Sequence, residues 1–242
     1  MKAQSIRIKN IFLLVSLTLL ICTVIIYLIA YNSRPLEKCI SFVSVTAPSV
    51  ILDAGHGGAD GGAVSSNGTV EAEINLSITE KTRDLMTFLG IKTILTRSDE
   101  NSLNYNIDKN IRENKNADLR ARLDIAQSNP ECDFLSIHLN KFEQSKYFGA
   151  QVFYAQSNKS SIVLAESLQN SFITYLDSNN TRKAKISPDS VYLMKNITSS
   201  AVTIECGFLS NPAEEEKLKD DNYQTHIAIA IAKGYIDYKR ER

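Results

Sequence analysis

The sequence predicts a single α/β domain with a mainly parallel sheet, preceded by an N-terminal transmembrane helix. Apolar runs of strand length alternate along the chain with longer segments whose apolar residues recur at helical spacing. Such alternation is typical of βαβ units, in which helices join neighbouring parallel strands. Apolar residues make up 43% of the 242 residues, which is enough for a substantial core.

The N-terminus combines a basic flank with a long apolar run. Met1–Asn10 contains three basic residues and no acidic one, and Ile11–Ala30 contains 20 residues without a charge. A run of this length can cross a bilayer, and the basic flank favours the cytoplasmic side. We therefore predict a membrane anchor at residues 1–33, a linker at 34–48 and an extracytoplasmic domain at 49–242.

A cleaved signal peptide is the alternative for this segment, and it would make the domain a secreted one. The apolar run is longer than the core of a typical signal peptide, and no convincing small-x-small cleavage site precedes Arg34. Cys39 follows Glu37 and Lys38 and lies too far from the apolar run to be a lipoprotein cysteine. The uncleaved anchor is the favoured interpretation.

The charge balance argues against a nucleic-acid-binding protein, and the cysteine spacing argues against a disulfide-stabilised one. Lysine plus arginine and aspartate plus glutamate number 27 each, so no basic field indicates a nucleic-acid partner. The four cysteines are widely separated, form no C-x-x-C pair and define no disulfide framework; they are Cys22, Cys39, Cys132 and Cys206. Cys132 and Cys206 are expected to be small buried apolar residues.

The first strand of the domain leads into a histidine within a glycine-rich loop. Val50–Leu52 is a β-branched and apolar run, and His56 lies just beyond its carboxyl end. In open α/β sheets ligands bind at that edge, and the four glycines between positions 57 and 62 allow close approach to the backbone. A phosphate-binding loop is the alternative, but neither G-x-G-x-x-G nor G-x-x-x-x-G-K-S/T occurs here.

The remaining segments continue the alternation of strands and helices. Gly90 is a typical helix stop, and Asn129-Pro130 ends a further helix. The predicted elements are, in order, a helix at Glu73–Leu89, a strand at Ile91–Thr96, a polar loop at Ser98–Lys115, a helix at Ala117–Gln127, a strand at Phe134–His138, a loop at Lys141–Gly149, a strand at Gln151–Ala155, a helix at Ser161–Leu176, strands at Ser190–Met194 and Val202–Ile204, and helices at Pro212–Leu218 and Tyr223–Tyr238.

Two of the three histidines lie at the ends of predicted strands. His56 follows the first strand, and His138 ends the strand that begins at Phe134. If these strands are parallel neighbours, both imidazoles lie at one edge of the sheet. Zinc hydrolases commonly use two histidines, one carboxylate and an open water position. The carboxylate is expected at Glu71 or Glu73, and spacing alone does not choose between them.

Glu205 is the candidate catalytic residue. It follows the apolar strand Val202–Ile204 and is placed to take a proton from a metal-bound water and pass it to a leaving nitrogen. Cys206 is a weaker candidate, because adjacent strand residues point to opposite faces. Taken singly, a histidine at a strand end is more often a hydrogen-bonded structural residue than a ligand. His226 lies within the last predicted helix, has no ligand-like neighbour and receives no role.

Four motifs occur in order along the domain. They are Leu52-Asp-Ala-Gly-His-Gly-Gly-Ala-Asp-Gly-Gly-Ala63, Val70-Glu71, Leu135-Ser-Ile-His-Leu-Asn140 and Thr203-Ile-Glu-Cys-Gly-Phe-Leu-Ser-Asn211. Together they resemble the zinc-dependent N-acetylmuramoyl-L-alanine amidases of bacterial cell walls. The similarity spans roughly Ser49–Tyr238, which is nearly the whole predicted extracytoplasmic domain.

This resemblance implies a ligand set, a fold and a reaction. Zinc would be held by His56, Glu71 and His138, which chooses Glu71 over Glu73. Glu205 would act as the catalytic base and then as the acid. The implied fold is a twisted sheet with helices on both faces. The implied reaction is hydrolysis of the amide that joins the lactyl group of N-acetylmuramic acid to L-alanine in peptidoglycan.

Within this family the chain most resembles the sporulation and germination amidases of spore-forming Firmicutes. The resemblance rests on the N-terminal membrane segment, the absence of wall-binding repeats and the stretches Asp118–Asp124 and Phe148–Tyr154. It implies action on spore-cortex peptidoglycan for muramic-δ-lactam formation, and it leaves open whether an activating partner protein is required. Cys206 and Leu139 depart from the residues usual beside the site; neither departure removes a ligand, so they bear on substrate fit more than on activity.

Two other functions stay open from the sequence. A zinc-stabilised wall-binding or regulatory module would hydrolyse little by itself, and Glu205 argues against it, because a structural zinc site needs no base and usually has four protein ligands. A zinc carboxypeptidase acting on stem peptides would release only a terminal amino acid. An amidase would instead leave free lactyl carboxylates on the glycan.

Overall fold

A computed structural model of the chain describes residues 16–24, 27 and 49–241. Residues 16–24 and 27 are α-helical and belong to an N-terminal unit, whereas residues 49–241 belong to a second unit. Within the described part of the chain, no helix is both long and apolar enough to cross a membrane. The predicted span at Ile11–Ala30 is only partly covered by these residues and the linker at 34–48 lies outside them, so both stay predictions.

A six-stranded sheet with the order β2-β1-β3-β6-β4-β5 forms the centre of the second unit. The strands are β1 (Val50–Ala54), β2 (Thr93–Leu95), β3 (Asp133–Asn140), β4 (Gln151–Tyr154), β5 (Lys185–Ile186) and β6 (Ala201–Phe208). The strands β2, β1, β3 and β6 are parallel to one another, and β4 runs antiparallel to β6. Because β5 is parallel to β4, the sheet is mixed, with its parallel majority as predicted.

Helices lie on both faces of this sheet, as the resemblance implied. Within residues 49–241 they are α1 (Glu71–Phe88), α2 (Ile111–Ser128), α3 (Ser160–Tyr175), α4 (Tyr192–Asn196), α5 (Pro212–Lys219) and α6 (Asp221–Arg240). Val50 and Leu52 pack in one core cluster with residues of α1, α3 and α6, whereas Ile51 packs with residues of α2 and α4. This alternation follows from the period of two along a strand, and each fully buried aliphatic side chain contributes about 1.5–3 kcal/mol.

The helix α2 begins six residues earlier than the predicted start at Ala117. Its first turn is fixed by a capping box, in which the Asn110 side chain accepts from Glu113 N at 3.0 Å and the Glu113 carboxylate accepts from Asn110 N at 3.0 Å. The residues from Ile111 to Glu113 are exposed, so this turn carries no apolar face. The predicted loop at Ser98–Lys115 is therefore wrong from Ile111 onwards, where the chain is helical.

The predicted strand at Ser190–Met194 is wrong, because the chain there enters the short helix α4. Leu193 and Met194 are both buried in the core cluster that includes α2. Adjacent residues of a strand would point to opposite faces, whereas adjacent residues of a helix are only about 100° apart, so both can reach the same core cluster. The strand β5 was not predicted, because two residues are too few to show the alternation that identifies a strand in a sequence.

Candidate active site

The carboxyl ends of β1, β3 and β6 bring the predicted site residues to one edge of the sheet. β1 and β3 are parallel neighbours, and His138 on β3 is the register partner of Glu205 on β6. His56 lies two residues beyond the end of β1, and Glu71 is the first residue of α1. The helix α1 starts two residues earlier than predicted, which turns Glu71 inwards and leaves Glu73 exposed.

His56, Glu71 and His138 form a compact cluster. Glu71 Oε1 lies 3.4 Å from His56 Nε2 and 3.0 Å from His138 Nδ1. The imidazole rings are T-shaped, with centroids 5.0 Å apart and an interplanar angle of 78°. One potential ligand atom from each of the three side chains lies within 4.8 Å of the others. Atoms spaced in this way can all contact a single metal ion.

Glu71 is buried and held by the backbone around it. Its Oε2 accepts a hydrogen bond from Ala63 N at 2.8 Å, and its Oε1 accepts one from Leu139 N at 3.1 Å. Burial alone would raise the pKa of Glu71, but its hydrogen bonds with His138 and His56 outweigh burial and hold the pKa well below the usual range. Glu71 is therefore a carboxylate at neutral pH, the form that binds metal ions.

Asp60 orients the ring of His56 and was not singled out from the sequence. Its Oδ2 lies 3.1 Å from His56 Nδ1 and 3.0 Å from Lys115 Nζ. Burial alone would lower the pKa of His56, but hydrogen bonds with Asp60 and Glu71 raise it to about 9. A carboxylate on one imidazole nitrogen fixes the ring and makes the other nitrogen a better ligand. That other nitrogen, Nε2, faces Glu71.

Two arginines hold the backbone that leads into His56. Arg122 donates to the carbonyl oxygens of His56 and Ala54, each at 2.7 Å. Arg97 donates to the carbonyl oxygens of Ala54 at 2.9 Å and Gly55 at 3.1 Å. His56 has a φ of 63°, in the left-handed region that non-glycine residues rarely adopt. The arginine contacts therefore stabilise an unusual backbone conformation at this histidine.

Buried carboxylates balance the charge of Arg122. Its guanidinium forms ion pairs with Asp53 and, at 2.7 Å, with Asp118 Oδ2. Burial alone would raise the pKa of Asp53, but Arg122 and hydrogen bonds from Ser136 and Thr96 lower it. A carboxylate in the middle of an apolar strand must be paired in the core, so Asp53 was the sequence signal for this network.

Gly55 and Gly62 leave the space that the side chains of His138 and Glu71 occupy. A Cβ atom at Gly55 would lie 2.2 Å from His138 Cε1, and one at Gly62 would lie 2.6 Å from Glu71 Oε2. Carbon atoms do not approach other heavy atoms so closely, and Gly62 also has a φ of 71°. The glycine-rich loop therefore makes room for the histidine and the carboxylate.

Glu205 presents an unpartnered oxygen beside this cluster. Its Oε2 is buried and has no hydrogen-bond partner among the residues that the structure describes. Burial raises the pKa of Glu205 to about 7; the charge of Glu71 adds to the rise, and His138 opposes it. A metal ion with a bound water would supply the missing partner, so the four side chains together fit a catalytic metal centre.

The other sequence candidates lie away from the cluster. Cys206 is buried in the core cluster that contains α1, α3 and α6, as strand alternation predicts, and Cys132 is buried in the opposite one. His226 is exposed on α6. The predictions that the two cysteines are small core residues and that His226 lies apart from the site are therefore confirmed.

An α/β sheet with two histidines, one carboxylate and a separate glutamate with a buried oxygen at its strand ends is typical of metal-dependent hydrolases that keep an open coordination position. The sequence identifies the family of hydrolases to which the chain belongs. Residues 50–237 match the family model described as N-acetylmuramoyl-L-alanine amidase. The chain belongs to this family, which makes it an amide hydrolase.

Individual relatives agree with this family. The germination-specific N-acetylmuramoyl-L-alanine amidase of Bacillus subtilis (strain 168) is 36% identical over 193 residues, which is 80% of each chain. The structure of the CwlD amidase from Clostridioides difficile in complex with the GerS lipoprotein has 42% identity and a TM-score of 0.78, and covers 81% of this chain and 100% of that one. An N-acetylmuramoyl-L-alanine amidase from Clostridium difficile 630 has 25% identity and a TM-score of 0.70, and covers 81% and 98%.

Proposed function

We propose that this chain cleaves the amide between the lactyl group of N-acetylmuramic acid and L-alanine in peptidoglycan, with a zinc ion held by His56, Glu71 and His138. The observation that carries the proposal is the cluster of these side chains beside the buried Oε2 of Glu205. Two imidazole nitrogens and one carboxylate oxygen suit zinc, and three protein ligands leave a position open for chemistry.

Glu205 is the proposed proton carrier. Zinc, when bound, activates water and polarises the scissile carbonyl. The Glu205 carboxylate accepts a proton from the attacking water and then donates it to the leaving nitrogen of L-alanine as the carbon–nitrogen bond breaks. In the metal-free protein, burial raises the pKa of Glu205 to about 7, closer to neutral pH than that of an exposed carboxyl group. A nearby cation lowers the pKa of a carboxyl group, which favours the base form at the start of the reaction.

The residues around the cluster orient it before substrate binds. Asp60 holds the His56 ring through Nδ1, while Arg97 and Arg122 hold the backbone on either side of Gly55. Catalytic groups supported in this way need little rearrangement, and reduced rearrangement lowers the barrier to reaction.

The natural substrate that we propose is the peptidoglycan of the spore cortex. The germination-specific relative from Bacillus subtilis supports this role. The complex of the Clostridioides difficile amidase with a lipoprotein supports a partner protein for this chain as well. We also propose that residues 1–33 anchor the chain, that 34–48 form a linker, and that 49–242 act as the catalytic domain outside the cytoplasm.

Product analysis by mass spectrometry tests this function. The full-length chain, loaded with zinc and incubated with cortex peptidoglycan, should release stem peptides that begin with L-alanine and leave free lactyl carboxylates on the glycan. A chelator should stop the release and added zinc should restore it. Release of a terminal amino acid alone would indicate a carboxypeptidase. Zinc binding without any release, even with a lipoprotein partner present, would indicate a wall-binding module.

A further inference from the structure

A row of side chains extends from the cluster across the sheet towards β4. His138 on β3, Glu205 on β6 and Gln151 on β4 are successive register partners. Register partners on neighbouring strands point to the same face, with Cβ atoms about 5 Å apart in an antiparallel pair. Gln151 therefore lies one strand beyond the proposed proton carrier, on the face that holds the metal cluster.

Arg182 continues this row beyond Gln151. Its Nη1 donates to Gln151 Oε1 at 2.8 Å, and its Nε donates to the carbonyl oxygen of Phe148 at 2.7 Å. The guanidinium also lies over the ring of the buried Phe208, 4.5 Å from the ring centroid. These contacts fix the plane of the guanidinium. Its other N–H groups have no acceptor among residues 49–241, so they remain available to a ligand.

Arg182 lines a small pocket that is positively charged and partly aromatic. The pocket has a volume of about 180 Å³ and is lined by Lys146, Tyr147, Phe148, Asn180, Thr181 and Arg182. Two of these residues are cationic and none is acidic; the carboxyl group of Glu214 lies near Arg182, but its oxygens accept hydrogen bonds from Gly149 N and Phe208 N. Phe148 is 44% exposed, whereas the Tyr147 ring packs against Phe142 and has Lys146 Nζ 5.4 Å from its centroid.

Resting on the proposed amidase function, we propose that this pocket binds a carboxylate of the stem peptide, held by Arg182 with Lys146 beside it. The lactyl carboxyl group of N-acetylmuramic acid forms the scissile amide, so this sugar carries no free carboxylate in the substrate. The peptide side carries the negative charge, on the acidic residue that follows L-alanine. A fixed guanidinium with free N–H groups is the usual partner for such a carboxylate. The peptide then crosses Gln151 on its way from Glu205 to the pocket.

Paired substrates test the assignment. The zinc-loaded full-length chain is given N-acetylmuramoyl-L-alanyl-D-glutamine, whose only carboxylate is the α-carboxylate of the acidic position, and the corresponding diamide, in which that group is a neutral amide as well. For the acidic substrate Arg182→Gln should raise KM about 10-fold or more, the usual effect of losing a charge-assisted hydrogen bond. For the amide substrate KM should change less than about 2-fold, and kcat should hold for both. Lys183→Gln, which removes an adjacent exposed charge outside the pocket, should leave both substrates unaffected.

A binding measurement tests the proposed pocket without requiring that the chain cleave the substrate. In calorimetry, wild-type protein should bind the product L-alanyl-D-glutamine, which has one carboxylate, more tightly than L-alanyl-D-glutamine amide, which has none, and Arg182→Gln should remove the preference. Lys146→Gln, at an exposed position, should weaken the preference for the carboxylate without affecting the fold. Equal losses on both substrates would assign Arg182 a structural role and overturn the proposal, as would binding without preference. If the wild type cleaves neither substrate even with a lipoprotein partner present, the amidase function fails, and the calorimetry still decides whether the pocket prefers a carboxylate.

Discussion

The substitution Glu205→Gln separates the catalytic role of this carboxyl group from its effect on stability. The amide keeps the size of the side chain but cannot accept and return a proton. We expect kcat to fall by about 10²-fold or more, because loss of a general acid or base typically has that effect. Zinc content should stay unchanged, since Glu205 is not one of the three proposed ligands.

The same substitution should stabilise the metal-free protein at alkaline pH. Burial raises the pKa of Glu205 from 4.5 to about 7, and this difference corresponds to about 3 kcal/mol. Well below pH 4.5 the carboxyl group is neutral in the folded and the unfolded state, and it has no effect on stability. As the pH rises towards 7 the unfolded state ionises first, so wild-type stability falls, and the full difference is reached above the folded pKa.

Urea unfolding in the presence of a chelator measures this difference. At pH 8 the free energy of unfolding of Glu205→Gln should exceed that of the wild type by about 3 kcal/mol, and at pH 5 by less than about 1 kcal/mol. Glu73→Gln, at an exposed position two residues from a proposed ligand, should show no such change with pH. A constant difference at both pH values would refute the burial argument, and an unchanged kcat would refute the role as proton carrier.

Three further substitutions probe the support of the cluster. His138→Ala should lose zinc on dialysis, measured by metal analysis, and stoichiometric zinc in the variant would contradict the ligand assignment. Arg122→Gln should cost about 3–5 kcal/mol in urea unfolding, because it leaves the buried Asp53 charge unpaired, whereas exposed Arg112→Gln should change stability by less than about 0.5 kcal/mol. Equal effects of the two arginine substitutions would refute the pairing argument. Gly55→Ala should lower zinc affinity, because its Cβ would lie 2.2 Å from the His138 ring; normal zinc affinity would show that this contact relaxes freely.

The candidate site was predictable because its signals are local. His56 and His138 each lie at or near the end of a strand, and the strands were recognisable as short apolar runs. Parallel strands bring such ends to one edge, so convergence was expected if the two strands are neighbours, and the pairing of β1 with β3 meets that condition. The choice of Glu71 over Glu73 was different, because it depends on where α1 begins. The structure buries Glu71 at the first residue of the helix, and only the family resemblance had indicated this.

Most of the features that the sequence did not predict depend on contacts between distant segments, and one depends on a local helix cap. Arg122 reaches the carbonyl of His56 across 66 positions of sequence, and no spacing rule connects the two. The direction of β4 depends on its pairing with β6 rather than on its own residues. The first turn of α2 is stabilised by the Asn110 capping box and has no apolar face, so hydrophobic periodicity could not find it.

Anomalous diffraction at the zinc edge, on crystals of the zinc-loaded chain, tests the central claim most directly. We predict one strong peak within about 2.0–2.2 Å of a nitrogen of His56, a carboxylate oxygen of Glu71 and a nitrogen of His138, with the fourth coordination position open towards Glu205. A peak held by other residues, or a fourth protein ligand closing the site, would contradict it.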